Sequence, residues 1–167
     1  VIDTRKGPVI IEKDVEIKPL TYLEGPAFIG EGCKLVGGKI TDGCSFGSGC
    51  RIGGELPIEI ILGHSNKYHE GFIGHSYIGE WVNLGALTTN SDLANDYSNI
   101  FIKQNGTHVN TGSMKIGSFI GDHTKTGIGM TLNTGSVIGF SCNLFGGSWI
   151  KEKEIPSFAW GNDSLRS

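Results

Sequence analysis

No apolar stretch in this sequence approaches the roughly 20 residues a helix needs to cross a bilayer. None of the opening residues reads as a secretory signal, and no membrane partner is expected. A basic excess is also missing: 14 Lys and Arg face 17 Asp and Glu, for a net charge of -3. That balance argues against a nucleic-acid-binding face. The four cysteines, Cys33, Cys44, Cys50 and Cys142, are too few and too scattered for a disulfide framework. They read as reduced thiols of a cytoplasmic protein. Apolar residues do not recur at the 3.6-residue spacing of an amphipathic helix, nor do they simply alternate as in a half-buried strand.

What is abundant is glycine, with 27 residues, in a chain that is still 38% hydrophobic. Such a mixture points to many tight turns around a regular core, and the length suits a single domain over residues 1–167. The period is six. From Ile11, steps of six reach Ile17, Leu23, Ile29 and Leu35; one step of five leads to Ile40, then Phe46, Ile52 and Ile58 follow. The ladder resumes at Phe72, Ile78 and Leu84, and again at Met114, Ile120, Thr126, Leu132, Ile138, Leu144 and Ile150. Thr126 is its one polar member. A six-residue unit accommodates a short strand, a turn and one inward aliphatic per flat face, and three such faces close a triangular coil. The expected fold is all-β, a parallel β-helix.

Two interruptions break the ladder. Between Ile58 and Phe72 the spacing puts His64 inward and leaves two residues over, which predicts a bulge at Gly63–Gly71. Residues 88–113 form the second, and Asn105-Gly106 between strand-like residues predicts a projecting hairpin arm with a type I′ turn. Residues 151–167 are expected to cap the open end with an aromatic lid built on Phe158 and Trp160.

The densest polar cluster is His64, Asn66, Lys67, Tyr68, His69 and Glu70, followed by His75. His69 lies beside a Lys and a Glu and suits a general base near neutral pH. His64 and His75 read as ordinary histidines. The spacing of His64 and His69 also fits two zinc ligands of a γ-class carbonic anhydrase, but no histidine precedes His64 to supply the third. No metal is expected.

The run His69-Glu70-Gly71-Phe72-Ile73-Gly74, with Asn66-Lys67 before it and Val82-Asn83-Leu84-Gly85-Ala86 after it, resembles the acetyltransferase half of the bifunctional enzymes that make UDP-N-acetylglucosamine. It is most similar to a branch of sugar nucleotidyltransferases with a β-helical C-terminal part. The resemblance implies left-handed winding, a homotrimer, and acetyl-CoA-dependent acetylation of an amino sugar or sugar 1-phosphate. It also implies a nucleotidyltransferase domain ahead of Val1. His69 falls on the catalytic base, and Lys67, Phe72, Asn83 and Asn90 fall on substrate-binding positions. Phe72 replaces a tyrosine, so a hydroxyl is missing, and Ser91 replaces another. Asp122 and Lys125 fall on the acetyl-CoA side, with Lys151, Lys153 and Arg166 as further cations for its phosphates. The sugar-phosphate clamp has no clear match; Lys39 and Glu59 lie nearest. These departures also fit a second reading, a non-catalytic trimerisation and regulatory module.

Overall fold

A computed structural model of the chain describes residues 1–147 and 149–161. Its short strands stack in parallel into a left-handed β-helix with three faces. The first face carries Val9–Ile11, Ala27–Ile29, Ser76–Ile78, Ser118–Ile120, Ser136–Ile138 and Glu154–Ile155. The second carries Glu16–Ile17, Lys34–Leu35, Arg51–Ile52, Asn66–Lys67, Asn83–Leu84, Lys125–Thr126 and Asn143–Leu144. The third includes Thr21–Glu24, Thr89–Asn90, Thr131–Leu132 and Trp149–Ile150. Two longer strands, Gly38–Phe46 and Glu55–Ile61, run round the corner between the third and first faces.

Register explains the six-residue period. On the second face Ile17, Leu35, Ile52 and Lys67 lie directly above one another, so successive coils take 18, 17 and 15 residues. Ile29, Leu35, Ile40, Phe46 and Ile52 are fully buried. Each contributes roughly 1.5–3 kcal/mol by leaving water.

The ladder departs from its expected phase in the short coil. Ile58 sits at a corner with φ 54° and is 44% exposed, while Leu56 and Ile61 point inward. From Ile61 the inward positions continue through Lys67, Ile73 and Ile78. The expected bulge at Gly63–Gly71 is therefore not there; the irregularity is a shortfall one coil lower, at Gly53-Gly54. His64 is exposed at a corner with φ 60°, not inward. Phe72 is half-buried and yields the inward place to Ile73, and Met114 is 53% exposed, so the upper ladder starts at Ile120. Thr126 is inward as expected, its hydroxyl 2.7 Å from that of Thr88.

Antiparallel strand pairing among the described residues is confined to the insertion, where Phe101–Gln104 pairs with Thr107–Asn110. Asn105 and Gly106 both have positive φ, as a type I′ turn requires. The arm does not project. Ile100 is buried, the Asn105 and Gly106 amides donate to the Glu154 carboxylate at 2.7 and 3.1 Å, and Lys153 donates to the Phe101 carbonyl. Buried apolar surface and charge-assisted bonds hold the hairpin against the later coils of its own chain.

The described C-terminal residues wind on as another coil instead of forming a lid. Ile155 and Ala159 are buried, whereas Phe158 and Trp160 point outward, Trp160 meeting Phe145 edge to face. The rest of the expected cap, 162–167, lies outside the described residues. All four cysteines are buried free thiols.

Candidate functional site

Face-two strands present alternate residues outward, and Lys34, Arg51 and Asn66 stack there on successive coils. After Asn66 and the inward Lys67 the chain turns through Tyr68-His69-Glu70-Gly71. Gly71 closes this corner with φ 134°, and a Cβ there would lie 2.3 Å from the Thr88 carbonyl oxygen, so the position demands glycine. The corner puts His69 on the surface with the Tyr68 ring against its edge, centroids 5.1 Å apart. Lys34, Arg51, Asn66, Tyr68 and His69 together line a groove of about 410 Å³.

The groove holds one imidazole and two cations. Lys34 is partly neutralised by Glu16 at 3.4 Å, while Arg51 has no ion-pair partner among the described residues. Asn66 donates to the Asn83 side-chain oxygen at 2.7 Å, extending an amide row along the face toward Lys125, which pairs in register with Asn83. A guanidinium with its fork unoccupied is matched to phosphate or carboxylate. An imidazole beside it can take a proton from a ligand so held.

The residues expected at the site divide into those on this face and those elsewhere. Asn83 and Lys125 are on face two, and His69 is on the corner at its edge. Lys67 is beneath it, inside the coil and 2% exposed, so direct contact with substrate is excluded in this conformation. Asn90 is also buried: its amide donates to the Gly74 carbonyl and the Ser76 hydroxyl, and its oxygen accepts from the Gly74 amide. Those bonds use the side chain to hold the next corner. Phe72 lies past the corner, its ring over Gly74 and beside no residue of the groove.

Asp122 lies elsewhere again. Its carboxylate accepts from the Glu80 amide at 2.8 Å and borders a second groove, about 450 Å³, lined by Tyr77, Gly79, Phe119, Val137 and Phe140 on face one. Among the other expected cations, Lys151 is exposed, Lys153 is engaged with the arm, and Arg166 lies outside the described residues. Lys39 pairs with Glu55 at 3.3 Å, and Glu59 is buried, so neither lines the groove.

The other two histidines of the polar cluster, His64 and His75, are tied into structure. His64 stacks on Trp81 at 4.5 Å, and Trp81 continues to His123 at 6.4 Å, along one corner of the helix. His75 meets the Asp92 carboxylate at 2.7 Å where the insertion begins. Glu59 is fully buried near that pair, and burial, reinforced by the charge of Asp92, pushes its carboxyl pKa well above the ordinary value. Among the described residues no group of three metal-ligating side chains converges. Glu70 makes no hydrogen bond to the His69 ring among the described residues, so no carboxylate orients that imidazole.

Sequence reasoning missed Lys34 and Arg51. The signal was present: they stand 17 residues apart, one coil, immediately before the inward Leu35 and Ile52.

No family model matches the sequence. A bifunctional sugar-1-phosphate nucleotidylyltransferase/acetyltransferase from Sulfurisphaera tokodaii is 34% identical over 154 residues, covering 86% of this chain and 36% of that protein. A bifunctional protein GlmU from Methanococcus vannielii is 32% identical over 113 residues, covering 66% of the chain and 27% of the relative. The chain thus spans about a third of the length of these curated relatives. Among solved structures, a hexapeptide transferase family protein from Anaplasma phagocytophilum has TM-score 0.56 at 13% identity, with 99% of this chain and 80% of that one covered. The acetyltransferase domain of PglB from Neisseria gonorrhoeae, solved with acetyl coenzyme A, has TM-score 0.52 at 12% identity, with 95% and 57% covered. These two likenesses concern the fold.

Proposed function

Taking as premise that this chain is a hexapeptide-repeat β-helix related to bifunctional sugar-1-phosphate nucleotidylyltransferase/acetyltransferases, we propose that it is an acetyl-CoA-dependent acetyltransferase of nucleotide-sugar biosynthesis. Its acceptor is a phosphorylated amino sugar. The observation that carries this reading is the groove itself: His69 stands beside the unpaired Arg51 and the half-neutralised Lys34. The cations hold the acceptor's phosphate and leave its amine to the imidazole. Asn66 and Asn83 line the same face and suit sugar hydroxyls.

In the reaction the amine nitrogen attacks the thioester carbonyl carbon while His69 accepts the amine proton. The tetrahedral oxyanion is met by backbone N–H groups of the turns. Collapse breaks the carbon–sulfur bond, and the proton passes from His69 to the departing thiolate, giving amide and coenzyme A. The acetyl donor belongs in the face-one groove at Asp122, brought to a neighbouring copy's His69 by parallel trimerisation. The outward row Phe28, Ile60, Tyr77 and Phe119 on face one is more than a third exposed throughout and supplies an apolar surface for packing of copies. Because the arm folds onto its own chain, the trimer need not depend on it. Buried free thiols are in keeping with a reducing, cytoplasmic setting, and no helix of the described residues is long and apolar enough to cross a membrane.

The test is acetyl-CoA turnover with amino-sugar 1-phosphates and the matching unphosphorylated amino sugars, on wild type and Arg51→Ala. Turnover confined to the phosphorylated acceptors, with KM raised about tenfold or more by Arg51→Ala, is the expected result. Absence of transfer to every acceptor would leave the regulatory-module reading. Light scattering gives the mass of the assembly, and a monomer would sink the shared site.

A further inference from the structure

Lysine is the least suitable residue for the inside of a β-helix, yet Lys67 occupies an inward ladder position. It lies above Ile52 and below Leu84 and is 2% exposed. A leucine or isoleucine fills the equivalent place in the coils on either side. Burial depresses the ammonium pKa to about 8, a sign that the position is unfavourable for charge. Stability alone does not explain the choice.

The short corner beneath it does. Gly53-Gly54 has two residues fewer than the corner Tyr68–Gly71 stacked on it. Ladder bonds therefore skip from Gly53 N–H to the Lys67 carbonyl, then to Glu55 N–H and the Gly71 carbonyl. The His69 carbonyl falls in the gap, and no backbone N–H reaches it among the described residues. Lys67 Nζ fills the gap. It donates to the His69 carbonyl, and to the Gly53 carbonyl at 3.2 Å. Gly54 leaves room for it, since a Cβ there would stand 2.9 Å from Nζ.

Building on the reading of His69 as the base, we propose that Lys67 is a positioning residue: from inside the coil its ammonium bonds the His69 carbonyl and the Gly53 carbonyl, fixing the corner that aims the imidazole into the groove. This gives Lys67 a part in the reaction without contact with substrate. A base displaced by an ångström loses much of its effect while the substrates still bind, so Lys67 acts on kcat and leaves KM alone.

A double-mutant cycle on the full chain tests this, with kcat and both KM values measured for wild type, Lys67→Met, His69→Ala and the pair. Methionine keeps the length and apolar stem and removes the donor. Lys67→Met should lower kcat about tenfold or more, change each KM less than about twofold, and keep a cooperative melting transition. In the His69→Ala background the same change should alter kcat less than about twofold. Should Lys67→Met fail to fold, Lys67→Gln carries the test against the same His69→Ala reference, with the same pattern expected. A wild-type kcat in Lys67→Met overturns the proposal while leaving the base intact. An equal loss with and without His69 also overturns it, since Lys67 would then act independently of the imidazole. A wild-type kcat in His69→Ala instead overturns the base reading and this proposal with it.

Discussion

The coils below and above Ile52 are built on the same repeat and filled differently. From Ile29 to Ile52 every inward ladder position is aliphatic or aromatic. Above, the interior also takes Glu59, Lys67, Ser76, Asn90, Ser118 and Thr126, all buried. The polar interior begins where the coil shortens and runs past the corner bearing His69 and the root of the insertion. Short coils and insertions leave backbone groups without ladder partners, and those groups must be satisfied from within. Asn90 does this for Gly74 as Lys67 does for His69. The lower coils act as a packed base; the upper ones trade apolar burial for control of individual turns.

The largest effect should come from breaking the packed base. Ile40→Asp places an unpaired charge in an apolar interior and should leave no cooperative melting transition by circular dichroism. Next is the corner that the upper region supports: His69→Ala should lower acetyl transfer by about 10²–10⁴-fold with the fold unchanged. His64→Ala and His75→Ala should cost far less, and equal small losses from all three would remove His69 from its role. Phe46→Ala should lower stability by about 3–5 kcal/mol in denaturant melts, as its ring is wholly buried in the lower coils.

Glu59 gives the converse in the upper coils. With its folded pKa raised above the ordinary 4.5, it is neutral in both states at lower pH, where its contribution is fully present. As pH climbs past 4.5 the unfolded carboxyl ionises while the folded one keeps its proton, and stability falls until the folded value is passed. Glu59→Gln should therefore remove that pH dependence and gain about 1–3 kcal/mol near pH 8, seen by comparing melts at about pH 5 and about pH 8. A Glu59→Gln curve parallel to wild type would show that the buried carboxyl is not what titrates. The smallest effect belongs to Ser118→Ala, expected within about 0.5 kcal/mol of wild type, because the Ser118 hydroxyl is buried without a partner and its loss leaves nothing unsatisfied.

Much of this was legible in one sequence because a six-residue period is a local property. Ile29, Leu35, Phe46 and Ile120 announce their faces by spacing alone, as does the I′ turn at Asn105-Gly106. His69 was legible by its company and by resemblance. What spacing could not tell was where the coil is short. A coil three residues short of 18 and one three residues too long shift a six-residue phase alike, and only stacking of coils separates them. For that reason the spacing puts Ile58 and His64 inward, opposite to their places in the fold, and leaves Lys67 out of the ladder it in fact joins. Arg51 and Lys34 meet His69 only because parallel register brings residues 17 apart within a coil's height of one another. The arm's return to Glu154 likewise depends on contacts across the insertion. The repeat thus determined the kind of helix and its core, while the pairing of coils decided which side chains share a groove, since that depends on register across coils and not on order along the chain.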